Sequence, residues 1–146
     1  MVLIRPMAAE DVAAVGRIES QFSSAWTKSQ ISAELDRKAG VSLIAENGEE
    51  IIGWCCGTIL APEAELLKIA VTENRQRQGV ADLLLRKLVT LFVEHGAEQI
   101  FLEVRSANIP ALALYRSSGW RELGIRKSYY SRPTDDAVLL FRNMKN

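Results

Sequence analysis

The stretch AELLKIAVTENRQRQGVADLLLRKL, residues 64–88, joins two patterns of different periodicity through a short polar turn. The first eight residues form a mainly aliphatic run, which is typical of a buried strand. After the turn, Val80, Leu84 and Leu88 recur at the spacing of one helix face. A strand followed by a glycine-containing turn and a long helix indicates an α/β unit.

The turn itself, QRQGVA at residues 76–81, has the composition of an anion site. A helix N-terminus leaves backbone N–H groups unpaired and carries a positive partial charge, so it favours a phosphate group. Gly79 allows the backbone to approach a ligand closely. The turn is neither a P-loop nor a Rossmann fingerprint, because no GK[ST] follows and only one glycine is present. On the turn alone, a tight connection with solvated arginines is the simpler interpretation.

Periodicity and turn residues predict the remaining elements. In chain order they are a strand at 2–7, helices at 8–22 and 27–40, strands at 41–47, 49–60 and 63–71, a helix at 79–96, a strand at 98–105, a helix at 108–119, and strands near 120–130 and 136–144. Thr27 and Asn108 are the expected N-caps, and Gly40 and Gly96 the expected stop signals. This order predicts one α/β domain over residues 1–146, with a mixed sheet and helices on both faces.

Composition excludes several classes of function. The formal net charge is zero and there is no basic face, which disfavours nucleic acid as a partner. No apolar run reaches the ~20 residues that span a bilayer, and the N-terminus does not resemble a signal peptide. Cys55 and Cys56 are adjacent, so a strand would direct them to opposite faces, where they are poorly placed to share a metal. These features predict a cytoplasmic protein without a disulfide framework.

Two residues outside the turn, Glu103 and Tyr115, are candidates for a chemical role. In IFLEVR, residues 100–105, alternation places Glu103 on a face with Arg105, opposite two aliphatic residues. A glutamate in an apolar strand needs either an ionic partner, for which Arg105 is available, or a role such as general base. Tyr115 lies on the predicted buried face of the following helix. A core role and a catalytic role are both open for it.

Three longer segments, taken together, carry a family resemblance. LLKIAVTENRQRQGVADLLL, IFLEVRSANIPALALYRSSGW and RKSYYSRPTDDAVLLFRNM resemble the GNAT superfamily of N-acetyltransferases, and most of all its RimI type, which acetylates the N-terminal alanine of a ribosomal protein. SAWTKSQI, at residues 24–31, resembles the acceptor loop of that type. The resemblance covers nearly the whole chain. It implies the GNAT fold, with a mixed, mostly antiparallel sheet of six or seven strands and helices on both faces.

The resemblance also implies a cosubstrate and the residues that hold it. The cosubstrate is acetyl-CoA, and no metal is required. The turn would bind the pyrophosphate and the preceding strand would pair with the pantetheine arm, in a slot opened by a splay between that strand and the strand of Glu103. The implied contact residues are Ile69, Ala70, Val71, Arg77, Gln78, Gly79, Val80, Ala81, Asp82 and Asn108. Asp82 places a negative charge beside this phosphate site.

The same resemblance implies a direct attack of an amine on the thioester. Glu103 would be the general base, a backbone N–H near Val71 would stabilise the oxyanion, and Tyr115 would protonate the CoA thiolate. The implied acceptor is a protein N-terminus, contacted by Trp26, Tyr129 and Tyr130. Glu19 and Glu34 are expected at the mouth of the cleft if the acceptor is basic.

Three alternatives remain open at this stage. One is a lysine side chain or a small amine as acceptor in the same fold, and another is a non-catalytic acetyl-CoA sensor. A nucleic-acid binder that uses the arginines of the turn has the least support. The sequence gives no oligomeric state.

Overall fold

Strands and helices follow the predicted chain order in a computed structural model that describes residues 1–145. The strands are β1 (Val2–Pro6), β2 (Gly40–Asn47), β3 (Glu50–Leu60), β4 (Glu63–Val71), β5 (Gln99–Arg105), β6 (Arg121–Tyr130) and β7 (Asp135–Asn143). The α-helices are α1 (Val12–Glu19), α2 (Lys28–Glu34), α3 (Val80–Glu94) and α4 (Ile109–Ser117). No helix within residues 1–145 is long and apolar enough to cross a bilayer.

The strands form one seven-stranded sheet in the order β1-β2-β3-β4-β5-β7-β6. Every neighbouring pair is antiparallel except β4 and β5, which the crossover through α3 makes parallel. The prediction of a mixed, mostly antiparallel sheet is therefore confirmed. The parallel pair lies in the middle of the sheet, at the point where the slot was expected.

Each face of the sheet has its own apolar core. The larger core contains α3 residues such as Leu84 and Phe92, together with Tyr115 of α4. The smaller one, on the opposite face, contains Val15 of α1 and Ile31 of α2 packed around Trp54. The two cysteines divide between the cores as strand alternation predicts. Helices therefore lie on both faces.

The predicted N-caps are confirmed, but two helix ends are wrong. The Thr27 hydroxyl accepts from the Gln30 N–H at 3.1 Å. Helix α1 ends at Glu19 rather than at residue 22, because the N–H groups of Gln21 and Phe22 bond three residues back instead of four and the chain then turns. Helix α2 ends at Glu34, and Gly40 begins a strand instead of stopping the helix.

Candidate active site

A wedge-shaped slot opens between the two parallel strands. β4 and β5 pair only from Glu63↔Gln99 to Glu65↔Phe101. Beyond this point β4 continues against β3, and β5 against β7. The predicted splay is therefore present, and it lies at the carboxyl ends of the parallel strands, where open α/β sheets bind ligands.

An irregularity in β4 lies at the point where the strands separate. Cys56 pairs with Lys68 and Gly57 with Leu66, so the residue between them on β4 has no partner on β3. Bulges of this kind bend a strand and re-aim its groups, and they are common next to active sites. Gly57 is required here, because a Cβ would meet the Phe92 ring and lie 2.6 Å from the Glu65 carbonyl oxygen.

The turn before α3 presents unpaired backbone donors. We refer to residues 77–82 as the cradle. Arg77 has φ 64° and Gly79, the N-cap of α3, has φ 84°. Within residues 1–145, no N–H group of the cradle donates a hydrogen bond to the protein. Open space lies where a Gly79 Cβ would project, so its backbone conformation, and not crowding, explains the glycine.

The carboxylate of Asp82 has a cationic partner within its own helix. Arg86, one turn later, approaches the Asp82 carboxylate at 2.8 Å. An acidic residue in the first turn is also compatible with the helix dipole. The expected repulsion of a phosphate by this residue is therefore reduced, since a cation lies beside the carboxylate.

Glu103 lies at the edge of the slot with its side chain 24% exposed. Its neighbours on β5, Leu102 and Val104, are buried in the larger core as the alternation predicts. Its ionic partner is Arg126 of β6, at 3.8 Å, and not Arg105. The hydrogen bond and negative charge of Glu103 raise the pKa of Tyr129 on the same strand as Arg126.

A second carboxylate adds to the charge of this face. Glu65 of β4 has a raised pKa, first because it is partly desolvated and then because Glu103 repels its ionised form. Sequence analysis did not single out Glu65. Its spacing relative to Glu103 depends on the strand register, which the sequence did not provide.

Tyr115 lies in the larger core, on the opposite side of the sheet from Glu103. Its side chain is 3% exposed and packs edge to face on Trp120, with ring centroids 5.7 Å apart. Burial raises the pKa of its phenol, and the neighbouring Cys55 and Tyr130 raise it further. The phenol is therefore protonated at neutral pH and can serve as a proton donor. The predicted buried position is confirmed.

Asn108 has the capping role that the sequence predicts. Its Oδ1 accepts from the Ala111 N–H at 3.2 Å at the start of α4. The amide nitrogen of the side chain is left for other contacts. Asn108 lies at the N-terminus of one helix and the cradle at the N-terminus of another.

The three expected acceptor residues occupy the Glu103 face of the sheet, although they come from distant segments. Trp26 packs edge to face on Trp54, with centroids 5.6 Å apart. The rings of Tyr129 and Tyr130 are in contact at 5.1 Å, and the Arg105 guanidinium covers the Tyr130 ring at 4.4 Å.

Glu19 and Glu34 do not line the mouth of a cleft, so that expectation is wrong. Glu19 is 0% exposed. Its carboxylate accepts from the Trp54 indole and from the Trp26 N–H, both at 2.9 Å, and it pairs with Lys68 at 3.3 Å. Glu34 is also buried and pairs with Arg37 at 3.1 Å. A buried carboxylate needs hydrogen-bond donors or a cation as partners, and both Glu19 and Glu34 have theirs within the protein.

Comparison with known proteins identifies the family. The model of the acetyltransferase (GNAT) family matches residues 13–120. The chain is 31% identical, over 93% of its length and 90% of the relative's, to the ribosomal protein bS18-alanine N-acetyltransferase of Escherichia coli. It is 40% identical to the enzyme of that name from Haemophilus influenzae, over 72% of each chain.

Structural comparison agrees. The crystal structure of the ribosomal-protein-S18-alanine N-acetyltransferase from Escherichia coli superimposes with a TM-score of 0.92 at 26% identity, covering 100% of this chain and 96% of the other. The fold and the resemblance inferred from the sequence motifs are thus confirmed. The chain belongs to the acetyltransferase (GNAT) family and is an acetyl-CoA-dependent N-acetyltransferase.

Proposed function

We propose that this protein transfers the acetyl group of acetyl-CoA to the α-amine of a protein N-terminus, and that the acceptor is the N-terminal alanine of a small-subunit ribosomal protein. The observation that carries the proposal is the slot between β4 and β5, with Glu103 on one face of the sheet and Tyr115 on the other. The names of the relatives support the choice of acceptor.

Acetyl-CoA enters from the side of α3 and α4. The cradle donates its free N–H groups to the pyrophosphate, and Asn108 contacts the cosubstrate from the start of α4. The pantetheine arm lies in the slot beside Ile69, Ala70 and Val71, where β4 no longer pairs with β5. The thioester then lies between the two faces of the sheet.

Glu103 is the general base of this mechanism. An α-amine has a pKa of about 8 and must lose a proton before it attacks. Glu103 takes that proton, directly or through a water, and its partial exposure leaves room for the amine. A bond forms between the amine nitrogen and the acetyl carbon, while a backbone N–H near Val71 stabilises the oxyanion.

Tyr115 completes the reaction as general acid. As the carbon–sulfur bond breaks, its phenol gives a proton to the departing thiolate. Reference pKa values of about 10 for a phenol and about 8.5 for a thiol make this transfer uphill. Burial raises the pKa of the phenol, and it raises the pKa of the thiol as well, because a desolvated thiolate becomes more basic. Cys55, beside Tyr115, illustrates the effect, since burial raises the pKa of its thiol.

The acceptor is tested with a peptide panel. Free alanine, serine and methionine N-termini are each compared with a blocked twin that offers only lysine, and mass spectrometry locates the acetyl group. We expect acetylation of the free alanine terminus and its loss in Glu103→Gln. Glu94→Gln, an exposed change on α3, is the matched control.

Two outcomes would contradict the proposal. Acetylation of lysine alone would retain the fold and the chemistry but assign a different acceptor. Binding of acetyl-CoA without transfer to any peptide would indicate a small-amine acceptor or a sensor.

A further inference from the structure

The Arg105 side chain links two separate segments on the Glu103 face of the sheet. Its Nη1 donates to the Pro133 carbonyl at 2.8 Å, in the turn between β6 and β7. Its Nη2 donates to the Ser24 hydroxyl and, at 3.5 Å, to the Ser131 carbonyl. Two segments far apart in sequence are therefore fastened to the end of β5.

A second cation, Lys68, also contacts Ser24. The Ser24 carbonyl accepts from Lys68 of β4 at 3.3 Å. Ser24 has φ 62°, which is unfavourable for a residue with a side chain. One cation on each side of Ser24 therefore keeps the loop at residues 20–27 in a conformation that its backbone does not favour by itself.

Arg105 lies close to the proposed catalytic base. Arg105 follows Glu103 by two residues on the same face of β5, so the loop and the proposed base share one strand. The guanidinium lies over Tyr130 at 4.4 Å, which adds a cation–π contact. Its Nε is buried without a partner within residues 1–145.

We propose that Arg105 is a positioning residue that fastens the loop at residues 20–27 and the β6–β7 turn to β5, and so fixes the opening through which the acceptor reaches the slot. The inference rests on the proposed N-terminal acetyl transfer and deepens it. A narrow opening admits an extended N-terminus, and its width is set by a fork-shaped donor that spans both loops. Lysine cannot replace that fork, because it presents one compact charge.

The kinetic test compares Arg105→Gln, Arg105→Lys and Ser24→Ala, with Arg121→Gln as an exposed control on β6. We expect Arg105→Gln to raise the KM for the alanine peptide about tenfold or more, since charge-assisted hydrogen bonds are lost. Arg105→Lys should give nearly the same rise. The KM for acetyl-CoA and the pH profile of kcat should stay as in the wild type, because Glu103 is intact. The preference for an α-amine over lysine should fall.

A second measurement is independent of activity. Amide hydrogen exchange in residues 20–27 and 131–134 should become faster in Arg105→Gln and remain unchanged in Arg121→Gln. Ser24→Ala should loosen the loop at residues 20–27. Combining it with Arg105→Gln should loosen this loop little further, because both substitutions remove the same hydrogen bond between Arg105 and Ser24.

The outcomes separate the two proposals. Unchanged exchange in Arg105→Gln would overturn the fastening role, and faster exchange with an unchanged peptide KM would overturn its control of the opening. Full rescue by Arg105→Lys would show that charge alone matters, which also contradicts the inference. If the wild type acetylates no peptide, the proposed function fails, and the exchange experiment alone then decides whether Arg105 holds the loops.

Discussion

The cradle is one continuous segment, residues 77–82, whereas the Glu103 face combines the loop at residues 20–27 with β5 and the turn between β6 and β7. The cradle offers backbone N–H groups aimed by a helix. The Glu103 face is held by the charged side chains Glu19, Lys68 and Arg105. The first kind of site tolerates many side-chain changes, while the second depends on a few long-range contacts. A substitution in one of these two regions should therefore leave the function of the other region unchanged.

The largest effect is expected at Glu103. Glu103→Gln removes the base but keeps a side chain of the same size, so kcat should fall about 10²- to 10⁴-fold. Acetyl-CoA affinity should not change, because the cradle is untouched. Steady-state kinetics and calorimetric titration with acetyl-CoA measure both quantities. A parallel loss of acetyl-CoA binding would show that the two sides of the slot are not separable.

Glu19→Ala should have the next largest effect, on stability. It leaves the Trp54 indole and the Trp26 N–H without their acceptor and Lys68 without its partner, which costs about 3 kcal/mol or more of unfolding free energy. Glu19→Gln retains an acceptor and should lose less. Urea denaturation measures the difference. The peptide KM should also rise, with no change in the acetyl-CoA KM. A rise in the acetyl-CoA KM alone would contradict the assignment of Glu19 to the Glu103 face and not to the cradle.

Gly79→Ala tests the cradle against a matched control. Gly48 in the β2–β3 turn also has a positive φ and open space around it, so alanine at either position costs about 1–2 kcal/mol of backbone strain. Both variants should therefore lose similar stability in urea. Only Gly79→Ala should weaken acetyl-CoA binding, by about 5- to 30-fold. Equal binding by the two variants would remove the cradle from the cosubstrate site.

The smallest effect concerns Tyr115 at high pH. Burial raises its pKa above the unfolded value of about 10, so its contribution to stability is complete below that pH and is lost as pH rises further. Between pH 9 and pH 11 the wild type should lose about 1 kcal/mol more unfolding free energy than Tyr115→Phe. Identical pH profiles would show that the phenol is hydrated and not in a dry slot.

Local signals were sufficient for most elements and for the cradle. Thr27 and Asn108 are N-caps that lie directly before the helices they predict. The change from strand spacing to helix spacing likewise lies at Gly79, directly before α3. The end of α1 was predicted wrongly. Its last residue, Glu19, is buried, and its carboxylate accepts from the indole of Trp54, a residue 35 positions away. No window of sequence around α1 contains that partner.

The sequence by itself determined the order of the elements and the donor-rich turn that precedes α3. These depend on hydrophobic periodicity and on backbone geometry, which act over short distances along the chain. Only the tertiary structure decided which partners the charged groups on the Glu103 face would take. Glu103 pairs with Arg126, and Arg105 reaches Ser24 across 81 residues. The register of the sheet, with β7 between β5 and β6, sets these distances.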